Sequence, residues 1–171
     1  MNITNVKTGK NPAEGEVNVF IEIPKDSDVK YELDKDSGVI MVDRFLYTAM
    51  NYPFNYGFVP NTLGEDGDPI DVMVLSDKTI YPGTVIPCVV IGMLEMEDEA
   101  GIDTKLIAVP TKKIDPVFGE YTEITDVPDA VKNKIKHFFD HMKELEPNKW
   151  VKTKDFLNKA ASIEAVQKAL K

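Results

Sequence analysis

Three carboxylates stand within six residues in Asp66-Gly67-Asp68-Pro69-Ile70-Asp71, in a stretch locked by a glycine and a proline. At a spacing of about 4 Å, two such charges repel by about 1 kcal/mol in water and several-fold more in a partly dry site. A divalent cation relieves that repulsion, and ligation by carboxylate oxygens alone suits a hard ion, Mg²⁺, Mn²⁺ or Ca²⁺. The same residues are also good turn formers, so the motif alone does not separate a metal site from a solvated acidic turn. Two familiar aspartate motifs are excluded by position. A calcium-binding EF-hand loop starting at Asp66 would need a ligand at Ile70, glycine at Asp71 and glutamate at Asp77. An aspartyl-phosphate nucleophile would follow directly on an apolar strand, whereas Val72-Met73-Val74-Leu75 comes after this motif.

A second acidic cluster, Glu97-Asp98-Glu99-Ala100-Gly101-Ile102-Asp103, lies between two strand-like stretches. A four-residue hairpin loop over 99–102 would set Asp98 opposite Asp103, with Lys105 on the face of Asp103 by the period-two rule. Arg44 ends another strand and can fork onto phosphate oxygens. Lys30 and Glu32 share a strand face, and Glu22 is the one ionised residue of an otherwise apolar strand. The segment 50–60 is crowded with aromatics and reads as a packed loop, in which Tyr52 or Tyr56 can offer a hydroxyl.

These residues need a frame. The 171 residues suffice for one domain, 1–171, with a sizeable core. Val17 to Ile23, Lys30 to Leu33, Val39 to Val42, Val72 to Leu75, Thr84 to Met96 and Lys105 to Val109 read as strands, giving a set of five to seven. Val131, Ile135, Phe138, Met142 and Leu145 form a helical stripe, capped near Asp126 and ended by Pro147. A second short helix is expected from about Ser162. The pattern is mainly β (α+β): a closed or partly closed barrel with helices on its outside. Cys88 has no partner for an intrachain disulfide, and nothing approaches a membrane span or a secretory leader, which together point to the cytoplasm. With 20 Lys and Arg against 29 Asp and Glu, the net charge of −9 argues against a nucleic-acid binder.

The chain resembles a known family, the soluble Mg²⁺-dependent inorganic pyrophosphatases of the β-barrel type, in their short bacterial form. The family hallmark Asp-x-Asp-Pro-hydrophobic-Asp-hydrophobic fits Asp66 to Val72. Ile21-Glu22-Ile23-Pro24, Lys30-Tyr31-Glu32, Val42-Asp43-Arg44, Asn55-Tyr56-Gly57-Phe58, Asp103-x-Lys105 and His137-Phe138-Phe139 also look like family sequence, so the likeness covers about residues 15 to 155. It implies a five-stranded, OB-like closed barrel with flanking helices, and hydrolysis of pyrophosphate to two orthophosphates by a metal-activated water. Several Mg²⁺ per site are implied, with Mn²⁺ tolerated, along with a homohexamer of two stacked trimers and no nucleic-acid or membrane partner. Asp66, Asp71, Asp103, Asp98 and Glu32 resemble metal ligands, and Asp68 resembles the general base. Lys30, Arg44, Tyr56, Lys105 and Lys143 resemble the phosphate-binding groups, with Arg44 and Tyr56 also catalytic. Glu22 and Tyr52 resemble outer contacts. One departure is visible: Met142 stands where the family usually has tyrosine, and a thioether donates no hydrogen bond, so weaker substrate binding is expected. His137 and His141, one helical turn apart, would lie at the hexamer contact. Two other readings remain open: a non-catalytic divalent-metal-binding barrel, and an oligonucleotide-binding barrel with Tyr52, Phe54, Tyr56 and Phe58 as base-stacking platforms.

Overall fold

The computed structural model describes residues 3–64 and 67–170. The chain runs β1 (Glu16–Ile23), β2 (Val29–Asp34), β3 (Val39–Phe45), β4 (Asn55–Phe58), β5 (Asp71–Val74), β6 (Val85–Asp98), β7 (Gly101–Ile102), β8 (Lys105–Pro110), α1 (Asp129–His141), β9 (Val151–Asn158) and α2 (Lys159–Ala169). Five strands close a ring in the order β1-β4-β5-β8-β6, and β6 returns to pair with β1. All pairings in the ring are antiparallel except β5 with β8. Closure leaves these strands without a free edge, as the expected OB-like barrel requires. The hairpin β2–β3 stands outside the ring as a two-stranded sheet.

Period two divides the strands between two apolar clusters. Val72 and Val74 of β5 and Leu106 and Ala108 of β8 join Val17, Val19 and Ile21 of β1, with Val166 of α2 against them. Met73, Leu75, Ile107 and Val109 point the other way, onto Ile135, Phe138 and Phe139 of α1. With both faces covered, β5 and β8 read as continuous apolar runs rather than alternating ones.

The structure corrects several boundaries. The segment expected as an aromatic loop contains β4, which lacks alternation because all four of its residues are buried. β9 follows α1, and it pairs with the far half of β6. Asp126 caps a single 3₁₀ turn at Ile124–Asp126 together with Glu123, while α1 starts after Pro128 with no side-chain cap. The helical stripe stops at Met142, where α1 has ended, and Leu145 is exposed. α2 begins earlier than expected, capped by Asn158, whose side chain accepts from the Ala161 amide.

Two buried polar groups shape the approach to the site. Asn55 accepts from the amides of Lys25 (3.0 Å) and Ile80 (2.9 Å) and donates to the Lys78 carbonyl (2.9 Å). Thr62 donates to the Val59 carbonyl at 2.7 Å and accepts from the Ile70 amide at 3.0 Å, which pins both ends of the loop that carries the Asp motif. At Gly57 the two backbones of β4 and β1 come so close that a Cβ would lie 1.8 Å from the Phe20 carbonyl oxygen. Such a clash with backbone cannot be relieved by turning a side chain, so Gly57→Ala is expected to exceed the roughly 1–3 kcal/mol usual for overpacking. Thermal denaturation should show a clear fall in Tm; an unchanged Tm would mean that β1 and β4 can separate without cost.

Candidate active site

One face of the barrel, the β2–β3 hairpin and the segment after α1 enclose a cavity of about 510 Å³. Among the described residues its walls bring together twelve of the thirteen predicted positions: Glu22, Lys30, Glu32, Arg44, Tyr52, Tyr56, Asp68, Asp71, Asp98, Asp103, Lys105 and Lys143. The thirteenth, Asp66, lies outside the described residues.

At its floor, Lys105 opens β8 with its side chain almost fully buried. Its ammonium lies 2.5 Å from Asp71, which opens β5, and 2.5 Å from Asp103. The parallel pairing of β5 with β8 sets these strand starts side by side. Burial works to lower the Lys105 pKa, but the two carboxylates outweigh it and hold the ammonium above its ordinary value. Tyr56 of β4 faces this group, with Lys105 Nζ 5.9 Å from its ring centre. Burial first, then the Asp71 charge, pushes its phenol far above the usual range, so it stays a hydrogen-bond donor. Tyr52 is likewise buried and raised by desolvation, 5.5 Å from Tyr56 between ring centres.

On one flank, Lys30 and Arg44 are cross-strand partners in the hairpin. Lys30 pairs with Glu32 and lies 3.5 Å from Asp43, while Arg44 reaches Asp43 at 2.5 Å and Glu146 at 3.1 Å. On the other flank, Lys143 binds Asp98 at 2.8 Å, and Lys149 binds Glu99 at 2.5 Å. Burial opposes ionisation of Asp98, but the Lys143 contact prevails and lowers its pKa. Near the mouth, Lys35 meets Asp68 at 2.5 Å. Of these groups, Lys35, Asp43, Glu99, Glu146 and Lys149 carried no predicted role. Adjacency to Arg44 could have flagged Asp43, and membership of the second acidic cluster Glu99. Glu146 and Lys149 arrive through the turn after α1, which local spacing does not reveal.

The second acidic cluster differs from expectation. Its turn is tight: Asp98 pairs with Gly101 in β7, and the Asp103 amide donates to the Met96 carbonyl at 2.9 Å. Asp98 and Asp103 therefore do not face each other across a hairpin base, although both reach the cavity. Tyr52, Phe54, Tyr56 and Phe58 are all at least 93% buried, which removes them as base-stacking platforms. Met142 is packed among Tyr52, Tyr56 and Phe139 in the cavity wall, where it fills space and donates nothing.

The donor chemistry suits hard divalent cations, although among the described residues no three acidic or histidine side chains already stand close enough together to hold one. Asp71 and Asp103 converge on one positive atom, and the two 2.5 Å legs bound the separation of their oxygens at 5 Å. Every ligating atom on offer in these clusters is a carboxylate oxygen, the preference of Mg²⁺ rather than of zinc. Eight acidic side chains line the cavity against six basic ones, so the described walls retain negative charge despite their ion pairs. Glu22 shows the strain: it accepts from the Leu33 amide at 2.7 Å, but burial, with Asp71 and Glu32 nearby, pushes its pKa up to about 7.

That shift gives a signed expectation for the metal-free protein. Below the ordinary value of 4.5, Glu22 is protonated in both states and contributes no pH dependence. Between 4.5 and about 7 the unfolded chain ionises first, so stability falls as pH rises, and the loss is complete above about 7. Glu22→Gln keeps the acceptor for Leu33 and removes the titration. In EDTA the variant should match the wild type near pH 4.5 and exceed it by roughly 3 kcal/mol at pH 8. Parallel denaturation curves at both pH values would contradict this.

The family profile described as inorganic pyrophosphatase matches residues 19–171. The inorganic pyrophosphatase of Aquifex pyrophilus is 54% identical over 170 residues, covering 99% of this chain and 96% of its own. That of Campylobacter jejuni is 53% identical over 171 residues, covering 100% and 98%. Among solved structures, the Helicobacter pylori inorganic pyrophosphatase superposes with a TM-score of 0.93 at 52% identity, covering 97% and 96% of the two chains. The Thermus thermophilus enzyme gives 0.94 at 42% identity, covering 99% and 97%. Profile, sequence identity and barrel agree over nearly the whole length, and the chain belongs to the inorganic pyrophosphatase family.

Proposed function

We propose that this protein hydrolyses inorganic pyrophosphate to two orthophosphates as a single domain. The observation that carries the reading is the meeting, in one cavity, of convergent carboxylates with Lys30, Arg44, Lys105 and Lys143. Carboxylates alone would repel pyrophosphate and cations alone would not hold metal ions, so the mixture suits a substrate that arrives as a metal complex.

The family requires a divalent metal. Here Asp66, Asp71, Asp98, Asp103 and Glu32 would hold several Mg²⁺ ions, with Mn²⁺ tolerated. When bound, they would acidify a water and neutralise phosphate charge. Asp68 takes the water's remaining proton as general base. Lys30, Arg44 and Lys143 come from separate elements and orient the two phosphates from opposite flanks, where they offset the charge that develops on the leaving phosphate. Lys105 supplies a buried cation at the floor, and the Tyr56 phenol donates beside it. Glu22 anchors the hairpin through Leu33, and Tyr52 supports Tyr56.

Family resemblance also supports a homohexamer. In α1, His137 and His141 stack with ring centres 4.4 Å apart, and His137 is exposed, where it can take part in such a contact. The buried, unbridged Cys88 supports a cytoplasmic location. No helix among the described residues is long and apolar enough to cross a membrane.

With excess Mg²⁺, the protein should release phosphate rapidly from pyrophosphate and not from a phosphate monoester, and EDTA should abolish release. Metal binding without release would leave the non-catalytic barrel as the better reading. Asp68→Asn is expected to lower kcat by about 10²-fold or more with an unchanged Tm. Full activity in that variant would remove Asp68 as the base. Met142→Tyr restores a donor in the cavity wall and should lower KM severalfold with a smaller change in kcat. Sedimentation at neutral pH should give a hexamer, and a monomer would contradict the assembly.

A further inference from the structure

The pair between Lys35 and Asp68 differs in kind from the others in the cavity. Lys35 sits in the turn that closes the β2–β3 hairpin, outside the ring, and Asp68 sits on the loop entering β5. They are 33 residues apart in sequence, yet Lys35 Nζ donates to Asp68 Oδ1 at 2.5 Å. Lys105 is 5% exposed, whereas Lys35 and Asp68 are 59% and 66% exposed. Burial therefore does not hold this pair, and an exposed pair of this type contributes little stability.

Its position conflicts with the role given to Asp68. A general base needs a free lone pair aimed at the proton it accepts, and here an ammonium occupies one oxygen. The second oxygen can still accept, but an ammonium beside a carboxylate weakens it as a base, so opening the pair favours proton transfer. Pyrophosphate offers more negative charge and more acceptor oxygens than one carboxylate, so it competes well for a cation that is held only weakly. A lysine, with its flexible stem and three rotating donors, can make the exchange with little rearrangement.

We propose that Lys35 is a substrate-binding cation that covers Asp68 in the empty site and moves onto a phosphate when pyrophosphate enters, uncovering the base. This rests on the reading of the cavity as a pyrophosphate site. It ties two events together: the hairpin gains a contact to the substrate, and Asp68 is relieved of its neighbouring cation when substrate is present.

Steady-state phosphate release with excess Mg²⁺ should be compared for wild type, Lys35→Gln and Lys35→Arg. The glutamine variant should raise KM about five- to tenfold, with the change carried by KM rather than kcat, as expected for loss of one exposed charge contact. The arginine variant, which keeps the charge, should recover most of that loss. A KM unchanged in Lys35→Gln, or an effect confined to kcat, would overturn the proposal while leaving pyrophosphate hydrolysis intact. If the wild type releases no phosphate, the hydrolytic reading fails by itself. Calorimetric binding of imidodiphosphate with Mg²⁺ then tests Lys35 directly: weaker binding by Lys35→Gln supports it, and equal binding overturns it.

Discussion

Lys105 is held between Asp71 and Asp103 at the point where two parallel strands begin, with its ammonium almost wholly buried. Removing one partner from such a group leaves a charge in a poorly solvated place, at a cost of several kcal/mol. The constraint works in both directions. The carboxylates keep the ammonium charged against burial, and the ammonium lets two carboxylates approach each other in the absence of metal. Tyr56 faces that centre, with the Lys105 ammonium 5.9 Å from its ring centre, and further cations of the cavity are paired with carboxylates.

Those outer pairs form a gradient. Lys105 at the floor is almost wholly buried, its carboxylates and the flank pair Lys143–Asp98 are partly buried, and Lys35 with Asp68 at the mouth is mostly exposed. Electrostatic interactions weaken as solvent exposure grows, so contacts near the mouth exchange most readily. A site that must admit a highly charged anion and release two others needs rigid charges where it orients the reacting groups and loose ones where the anion passes.

The barrel makes this possible by separating two tasks. Its five ring strands bury apolar side chains on both faces, and stability is drawn from that packing. The hairpin β2–β3 and the turn after α1 are not part of the ring, and they carry Lys30, Glu32, Arg44, Lys143 and Glu146. Functional charge is concentrated on peripheral elements and strand ends, where it interrupts the apolar core least.

Much of this was legible in the sequence. Alternation marked β1 and β2, the continuous apolar runs marked β5 and β8, and the crowding of aspartates marked the entrance to β5 as a candidate site. These signals survive because they are local: period two, turn chemistry and like-charge crowding are all properties of neighbouring residues. β4 was missed because a strand buried on every side shows no alternation, and β9 because it pairs only with the distant end of β6. The partners of the site's charges were also decided by tertiary structure. Lys35 with Asp68, Arg44 with Glu146 and Lys143 with Asp98 join residues 33, 102 and 45 positions apart. Sequence by itself determined which residues could bind metal and phosphate. The closing of the barrel decided which of them meet, because a charge pair depends on distance in space and not along the chain.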